Sequence, residues 1–255
     1  MTEGVIKSAG RALEVLEVFA RERRALSAKQ VERELRYPPS STVMLLKSLM
    51  LLGYLRFDRQ AKLYYPTLRV TLLGDWLRTG ATGSDALLGA MQALAHRTHE
   101  TVFLSTPNDV HMQVTHIVQG LQPISLNVRP GLLLPMAGTA VGHAYLSTRD
   151  DEDIAKLVRR MNRGRAAEGR LDPAAVVATV RAARRRGHAT AWGVLEEVGA
   201  IARAVPSRDG SPAAVICIGG PSERIRAAEA TLARELRRCT GIYFRARRKL
   251  GGAEA

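Results

Sequence analysis

The chain has 255 residues, of which 46% are hydrophobic and 24% charged, and its formal net charge is +14 at pH 7. Two cysteines are too few for a disulfide framework or a four-cysteine zinc module, and the lack of a signal-peptide core or of a run of about 18 apolar residues favours a reduced, cytoplasmic protein with no membrane contact. At roughly 100–200 residues per domain the length fits one large or two modest domains, and the excess of Lys and Arg favours a polyanionic partner, usually nucleic acid.

Three short helical patterns precede residue 53. The first helix is predicted over residues 10–23. The second opens with a capping box, Ser27–Gln30, in which each residue's side chain accepts a hydrogen bond from the other's amide. The third is predicted over Thr42–Leu52, with Ser40 and Ser41 as its N-terminal caps. Apolar spacing predicts that a common core contains Leu13, Leu16, Ala20, Ala12, Phe19, Leu45, Leu46, Leu49 and Leu52.

An alternating segment at residues 54–65 predicts a two-stranded wing after these helices. Helix, short turn, helix and hairpin, in this order, are typical of a winged helix-turn-helix, whose second turn helix enters the major groove of DNA. Short hydroxyls at a helix start suit phosphate contacts, and cations at a wing tip can reach the DNA backbone. The predicted DNA contacts are Ser27, Lys29, Ser40, Ser41, Thr42, Val43, Met44, Lys47, Arg59 and Lys62. The alternative is a helical domain that docks a protein instead of DNA.

A Gly/Thr/Ser-rich run at residues 79–84 indicates a linker, and the pattern after it indicates a second domain with strands and helices. Strands are predicted at Thr101–Ser105, Met112–Val118, Ile124–Val128 and Ala213–Ile218. Helices are predicted from Ser84 or Asp85 onward and at Ala140–Leu146, Asp151–Asn162, Pro173–Arg186 and Ser222–Lys249. One face of the last helix carries Ile225, Ala228, Leu232, Leu236 and Cys239. The predicted fold class is α+β.

Residues that could act in catalysis or bind a metal do not form a recognisable constellation. His96 and His99 share a helix face, but two ligands are too few for a metal site and no acid or cysteine completes the set. Cys217 lies in an apolar strand and is interpreted as a small buried residue. The arginine-rich segment 159–186 fits either a solvated helix face, which we favour, or a DNA contact. An enzyme is therefore disfavoured, and neither a metal nor a cofactor is predicted.

Several short stretches, none of them specific alone, follow one another in a characteristic order. They are residues 12–19, 26–35, 38–49, 53–55, 131–142, 186–189 and 209–221. In this order they resemble the IclR family of bacterial transcriptional regulators over nearly the whole chain. The resemblance implies an N-terminal winged helix-turn-helix that is joined by a linker helix to a GAF-like α/β effector-binding domain. It also implies binding to double-stranded operator DNA as a homodimer or as a dimer of dimers.

Carried onto this chain, the resemblance implies three parts. Residues 1–66 would form the DNA-binding domain, residues 67–83 a linker helix and loop, and residues 84–255 the effector-binding domain. The linker helix would span about residues 67–77 and would pack against a partner subunit or within its own chain. Effectors in this family are small organic acids or aromatic metabolites. The implied function is a sequence-specific transcriptional regulator that responds to such an effector; the alternative is a small-molecule sensor whose helical domain docks a protein partner.

The resemblance places the effector pocket between the sheet and the loop before a helix. The pocket residues that it implies are Leu134, Met136, Gly138, Thr139, Ala140, Val141, Trp192, Ala200, Cys217 and Gly219. Amides at the helix start near Thr139 would favour a carboxylate or another anion. Thr190 or Ala191 replaces an acid of the family and Ala200 replaces a cysteine, which favours a bulkier, more apolar ligand; the alternative is that no effector binds. In the third helix Met44 stands where many relatives have arginine, so a bidentate arginine–guanine contact is absent there.

Overall fold

The structure is a computed structural model that describes residues 6–73, 84–163, 165–193, 197–205 and 214–251. The chain divides between residues 82 and 83 into two compact units, the N-terminal unit and the C-terminal unit. The predicted linker helix falls partly outside the described residues, from residue 74 onward. Within the described ranges, no helix is long and apolar enough to cross a bilayer.

The N-terminal unit contains helices followed by an antiparallel hairpin. Its elements are α1 (Lys7–Glu22), α2 (Ala28–Leu35), α3 (Pro39–Leu51), β1 (Leu55–Asp58), β2 (Leu63–Pro66) and the short α4 (Leu68–Leu72). Leu26, between α1 and α2, exchanges backbone hydrogen bonds of 3.2 and 2.8 Å with Tyr64 of β2. The turn before α2 is therefore fastened to the hairpin, and the order of elements agrees with the predicted helix-turn-helix and wing.

Local backbone chemistry sets where α2 and α3 begin. The Ser27 Oγ accepts a hydrogen bond from the Gln30 amide (3.3 Å), and the Gln30 Oε1 accepts one from the Ser27 amide (2.8 Å), which confirms the predicted capping box. Helix α3 starts with Pro39, because the fixed φ of proline suits the first helical position and no intrahelical donor is lost there. The prediction that Ser40 and Ser41 cap this helix is wrong, since both lie inside its first turn.

The core of the N-terminal unit joins the helices to the hairpin. Its buried apolar side chains are Val15, Val18, Phe19, Leu26, Val31, Leu46, Leu49, Leu55 and Tyr64. The predicted stripe of α1 is partly wrong, because the helix turns Val15 and Val18 toward the core and leaves Leu13 and Ala20 exposed. Leu52 was also expected in the core and is exposed, because it follows the last residue of α3.

The C-terminal unit combines helices with a six-stranded antiparallel sheet. Its elements are α5 (Ser84–Thr98), β3 (Thr101–Asn108), β4 (His111–Val118), β5 (Leu133–Pro135), α6 (Ala140–Leu146), α7 (Asp151–Met161), a short 3-10 helix (Ala167–Gly169), α8 (Pro173–Arg186), β6 (Ala189–Trp192), β7 (Val198–Val205), β8 (Ala214–Pro221), α9 (Ser222–Ala227) and α10 (Glu229–Gly251). The strand order is β5-β4-β3-β8-β7-β6. The predicted α+β class, with a C-terminal α/β domain, is confirmed.

Three features of the C-terminal unit differ from the predictions. The segment Ile124–Val128 is not a strand. Strands β5, β6 and β7 were not predicted, because β5 has only three residues and the small and apolar residues of β6 and β7 show no alternation of polar and apolar positions. The single helix expected after residue 222 is broken at Ala228, where α9 ends and α10 follows.

Two apolar cores lie on opposite faces of this sheet. One core contains α6, α7 and α8 with residues such as Val114 and Cys217. The other contains α5, α9 and α10 with residues such as Ile216 and Ile218. Ile225, Leu232, Leu236 and Cys239 are buried in this second core, as the predicted face of the last helix requires. Because successive strand residues point to opposite faces, the central strand β8 contributes to both cores.

Candidate functional site

Helix α3 presents a mixed polar and apolar surface. Ser40, Met44 and Lys47 are exposed, and Met44 is 64% exposed. Ser41 and Val43 are half-buried beside them. This surface holds half of the residues predicted to contact DNA, and it contains a cation, two hydroxyls and two apolar side chains.

Thr42 does not belong to this surface. The residue is 1% exposed, and its Oγ1 donates a hydrogen bond to the Pro38 carbonyl at 3.2 Å. Its position in the first turn of α3 directs it toward the core. The predicted DNA contact of Thr42 is therefore corrected: the residue closes the helix start against the unit's interior.

A surface groove lies between the start of α2 and the wing. It is lined by Ser27, Ala28, Lys29, Phe57, Arg59, Lys62 and Tyr64. Lys29, Arg59 and Lys62 are exposed there, and within the described part of the chain none of the three forms an ion pair. Ser27 is half-buried and its hydroxyl is engaged in the capping box. We name this feature the wing groove. Within the described part of the chain, its three cationic side chains are not paired with acidic side chains.

The turn of the wing is built by its own side chains. The Asp58 Oδ1 accepts hydrogen bonds from the amides of Gln60 (2.9 Å) and Ala61 (3.0 Å), which is the local bonding expected of an Asp-initiated turn. Lys62 takes a left-handed conformation with φ 54° as the chain re-enters β2. The hydrogen bonds of Asp58 therefore order the wing tip, and its cationic side chains take no part in them.

A narrow cavity of about 60 Å³ lies in the C-terminal unit, on the face of the sheet that carries α6. Its lining residues are Phe103, Leu126, Val128, Leu134, Thr139, Ala140, Val141, Ala191, Val198, Ala200 and Cys217. No side chain in this lining is charged. We call this feature the effector cavity, after the role that the sequence predicts for it.

The two polar side chains that line the effector cavity, Thr139 and Cys217, are respectively hydrogen-bonded within the protein and uncharged. The Thr139 Oγ1 donates to the Pro135 carbonyl (2.6 Å) and accepts from the Gly142 amide (3.1 Å), so it caps α6. Burial raises the pKa of the Cys217 thiol, because a thiolate there would lose its solvation. The cavity therefore presents an apolar surface with a neutral thiol.

The structure brings together part of the predicted pocket. Leu134, Thr139, Ala140, Val141, Ala200 and Cys217 line the cavity. Gly219 lies on the same face of β8, beneath Leu126 and Phe103. Met136 is buried just before α6, and Gly138 is exposed in the turn between them; neither lines the cavity.

Trp192 lies on the opposite face of the sheet. Ala191 pairs with Ala200 and Trp192 with Gly199, so the two residues of β6 point to opposite sides. The Trp192 ring packs in the second core beside Gly199 and beneath the Arg226 guanidinium, 4.9 Å from its centroid. The predicted ligand contact of Trp192 is therefore corrected to a packing role, and Ala191 takes the place in the cavity.

Sequence reasoning missed several lining residues. Phe103 lies on a predicted strand whose inward face the sequence does not reveal, and Val198 lies on β7, which was not predicted. Leu126 and Val128 alternate in a pattern that was interpreted as a strand, yet the same alternation turns both side chains into the cavity. The alternation was thus a usable signal for burial, although not for sheet pairing.

His143 ties the turn before α6 to the helix. Its Nε2 accepts a hydrogen bond from the Gly138 amide at 3.1 Å, so the ring is neutral and carries its proton on Nδ1. The side chain is buried, and this burial lowers the pKa of His143 because the imidazolium would lose solvation. Protonation would also remove the acceptor that holds Gly138.

Acid is therefore expected to destabilise the C-terminal unit through His143. Its contribution to stability is complete above the ordinary value of 6.5 and is lost as pH falls through 6.5 toward the lower folded pKa, because the unfolded chain takes up the proton first. The limiting slope is about 1.4 kcal/mol per pH unit. Urea unfolding between about pH 7.5 and about pH 5 should show a steeper loss for the wild type than for His143→Gln, whose amide oxygen still accepts. Parallel pH profiles would contradict this role.

Arginines of α8, which belong to the arginine-rich segment, form ion pairs with α7. Arg181 and Arg184 contact the two oxygens of the Asp151 carboxylate at 2.6 and 3.2 Å. Their hydrogen bonds, that of Arg181 foremost, lower the pKa of Asp151. Arg160 pairs with Asp109. These arginines have partners inside the unit, which agrees with the favoured interpretation of a helix surface.

His96 lies in the last turn of α5, whereas His99 follows the helix with φ 58°, so the prediction that both share a helix face is wrong. Their ring centroids are 6.2 Å apart. Among the described residues, no group of three His, Cys, Asp or Glu side chains is arranged to hold a metal ion. The two rings are thus a pair without a third ligand in the described part of the chain.

Comparisons with known proteins agree with this organisation. Residues 8–59 match the model of the IclR helix-turn-helix domain, and residues 85–241 match the model of the bacterial transcriptional regulator IclR C-terminal domain. No curated protein matched the sequence.

Solved structures share the fold. The chain is similar to IclR of Thermotoga maritima, with 18% identity, coverage of 96% of this chain and 98% of that chain, and a TM-score of 0.59. It is also similar to an IclR family transcriptional regulator from Brucella abortus, with 21% identity, coverage of 95% and 93%, and a TM-score of 0.58. The third is HmgR of Pseudomonas aeruginosa, with 22% identity, coverage of 94% and 98%, and a TM-score of 0.56.

A helix-turn-helix unit followed by an effector-binding α/β domain defines the class of DNA-binding transcriptional regulators that carry their own ligand domain. The match to the C-terminal model alone covers more than half of the chain. The chain belongs to the IclR family of bacterial transcriptional regulators.

Proposed function

We propose that this regulator reads specific operator DNA with α3 and releases or tightens that contact when the effector cavity binds an apolar, aromatic metabolite. The proposal of DNA binding rests on the exposed surface of α3, which includes Lys47 and Met44. The same unit contains the cationic side chains of the wing groove, which are unpaired among the described residues. Lys47, Lys29, Arg59 and Lys62 supply phosphate contacts, whereas Ser40 and Ser41 set the position of the helix start on the backbone.

Base reading by α3 follows from the chemistry of Met44. A thioether side chain cannot donate to guanine, but it can contact the thymine methyl group in the major groove. Val43 beside it adds a second apolar surface. Specificity in this protein therefore rests on apolar contacts and on DNA shape more than on bidentate hydrogen bonds.

The effector class follows from the lining of the cavity. A small carboxylate would find no cationic side chain there, and the Thr139 hydroxyl is already engaged. An organic acid would therefore depend on backbone amides at the start of α6. Of the organic acids and aromatic compounds typical of the family, an aromatic compound matches the apolar walls better.

The switch is a population shift between arrangements of the protein. A ligand that binds one arrangement more tightly moves the population toward it, and the spacing of paired α3 helices in a homodimer, or in a dimer of dimers, then changes. In this proposal the α3 surface and the effector cavity are the two sites that such coupling requires.

Fluorescence anisotropy across a salt series tests the DNA half directly. The wild type should bind duplex DNA from its own upstream region more tightly than a scrambled duplex, with a steep salt slope because cation–phosphate contacts release counterions. Lys47→Ala should weaken binding to both duplexes about tenfold and reduce the slope by about 0.9, since one charge-assisted contact is lost. Lys156→Ala, which removes an exposed lysine of α7, is the matched control and should change neither.

Two outcomes would redirect the proposal. Unchanged affinity of Lys47→Ala would remove α3 from the DNA interface. Weak binding of the wild type to both duplexes without a salt slope would favour the sensor whose helical unit docks a protein.

A further inference from the structure

The segment between β4 and β5, residues 119–132, closes one side of the effector cavity. Leu126 and Val128 of this cover segment line the cavity together with residues of α6 and β7. The segment has no strand pairing of its own between residues 119 and 130. Its position must therefore be held by other contacts.

The backbone of the cover segment is fixed at Leu126. The Leu126 carbonyl accepts hydrogen bonds from the Thr101 Oγ1 (2.9 Å) and the Gln119 Nε2 (3.2 Å). Thr101 is fully buried at the start of β3. Two residues earlier, the Ile124 carbonyl accepts from the Arg224 Nη2 at 2.8 Å. Because the backbone is held from both α9 and β3, the Leu126 side chain is the part that can move at low cost.

The Leu126 side chain occupies space that is free because Gly219 has no side chain. A Cβ on Gly219 would lie 2.5 Å from the Leu126 Cδ2 and 3.5 Å from the Phe103 Cε1. Leu126 thus rests in the space that a residue of β8 would otherwise fill. A side chain at position 219 would overlap Leu126 and displace it, and the open space beside Leu126 is the cavity that it lines.

At about 60 Å³ the cavity is smaller than the roughly 150 Å³ cavity that accepts benzene in an engineered core. A ligand of the size of an aromatic ring therefore fits only if a side chain that lines the cavity moves aside. We infer that Leu126 determines the size of the ligand that the effector cavity admits, and that Gly219 leaves the space in which the Leu126 side chain lies. This inference rests on the proposed function, in which the cavity is the effector site.

Titration calorimetry with indole, a planar apolar probe, tests the inference on the full-length protein. Leu126→Ala removes the side chain from the wall and should bind indole at least tenfold more tightly than the wild type. Gly219→Ala displaces Leu126 inward and should bind at least tenfold more weakly. The double variant Gly219→Ala/Leu126→Ala should regain the affinity of Leu126→Ala, because the added methyl group then meets no leucine.

Leu157→Ala is the matched control. Leu157 is half-buried like Leu126 and packs against the same core, but it does not line the cavity. This variant should bind indole no better than the wild type. If Leu126→Ala fails to fold, as circular dichroism would report, Leu126→Val provides a smaller enlargement and should still bind indole more tightly than the wild type.

Equal indole affinity of the wild type and Leu126→Ala would overturn the inference, and so would equal gains in Leu126→Ala and Leu157→Ala. A complete lack of binding by every variant would overturn it as well. The wild-type DNA titration across salt does not involve indole or Leu126. A regulator that still binds its operator while these variants behave alike would therefore lose the size-determining residue without losing the DNA-binding half of the proposed function.

Discussion

Gly142→Ala is expected to destabilise the C-terminal unit by about 3 kcal/mol, at the upper end of the cost of overpacking a core. A Cβ at this buried position of α6 would overlap the Met136 carbonyl and lie 2.6 Å from the Met136 Cα. These are backbone atoms, and the Met136 side chain is 1% exposed, so the neighbour cannot move aside without disturbing the core.

Urea unfolding followed by circular dichroism measures this effect. Gly89→Ala is the control, because Gly89 lies in the helix α5 of the same unit and an added Cβ there meets no atom within 4 Å. Alanine in a helix is favoured over glycine, so this control should gain about 0.5–1 kcal/mol. A Gly142→Ala protein as stable as the wild type would mean that the turn before α6 yields freely, against the contacts described.

Arg224→Ala is expected to cost about 3 kcal/mol, because it leaves the Glu100 carboxylate buried without its cation. Glu100 is only 3% exposed, and the Arg224 guanidinium contacts both of its oxygens, with Nη2 at 2.8 Å from Oε2. Gly220 leaves the space for this carboxylate, since a Cβ there would lie 2.5 Å from the Glu100 Oε2. The loss of the bond to Ile124 adds to the effect.

A double-mutant cycle separates the ion pair from simple packing. Glu100→Ala/Arg224→Ala should be less destabilised than Arg224→Ala alone, because no unpaired charge remains buried. Lys156→Ala, which breaks an exposed pair with Glu152, should change the free energy of unfolding by less than about 0.5 kcal/mol. Equal losses in Arg224→Ala and Lys156→Ala would show that Glu100 is solvated.

The ends of two helices in the C-terminal unit were predicted correctly. Helices α6 and α8 begin and end where the sequence predicted, because Thr139 and Asp172 cap them with their side chains and Gly187 ends α8 in the left-handed region. These signals are local, so a neighbouring residue suffices to read them. The family resemblance, carried by the order of several such stretches, is likewise a property of the sequence alone.

Features that depend on distant partners were less predictable. The side of β6 on which Trp192 lies is set by pairing with β7, which the sequence does not reveal. The cover segment has the alternation of a strand, but its Leu126 carbonyl bonds to side chains of Thr101 and Gln119 instead of a neighbouring strand. Thr42 has a polar side chain suited to DNA, yet the helix start directs it inward.

The outermost strands of the C-terminal sheet are its shortest. Strand β5 has three residues and β6 has four, whereas β3, β4, β7 and β8 have eight each. Short outer strands expose few unpaired backbone groups to another chain, which limits edge-to-edge aggregation of the native protein. The run Val215–Ile218 in β8 is apolar on both faces and is protected only while the sheet is intact. Aggregation of this regulator should therefore begin from opened molecules, and resistance to it depends on how tightly the two apolar cores hold the central strand.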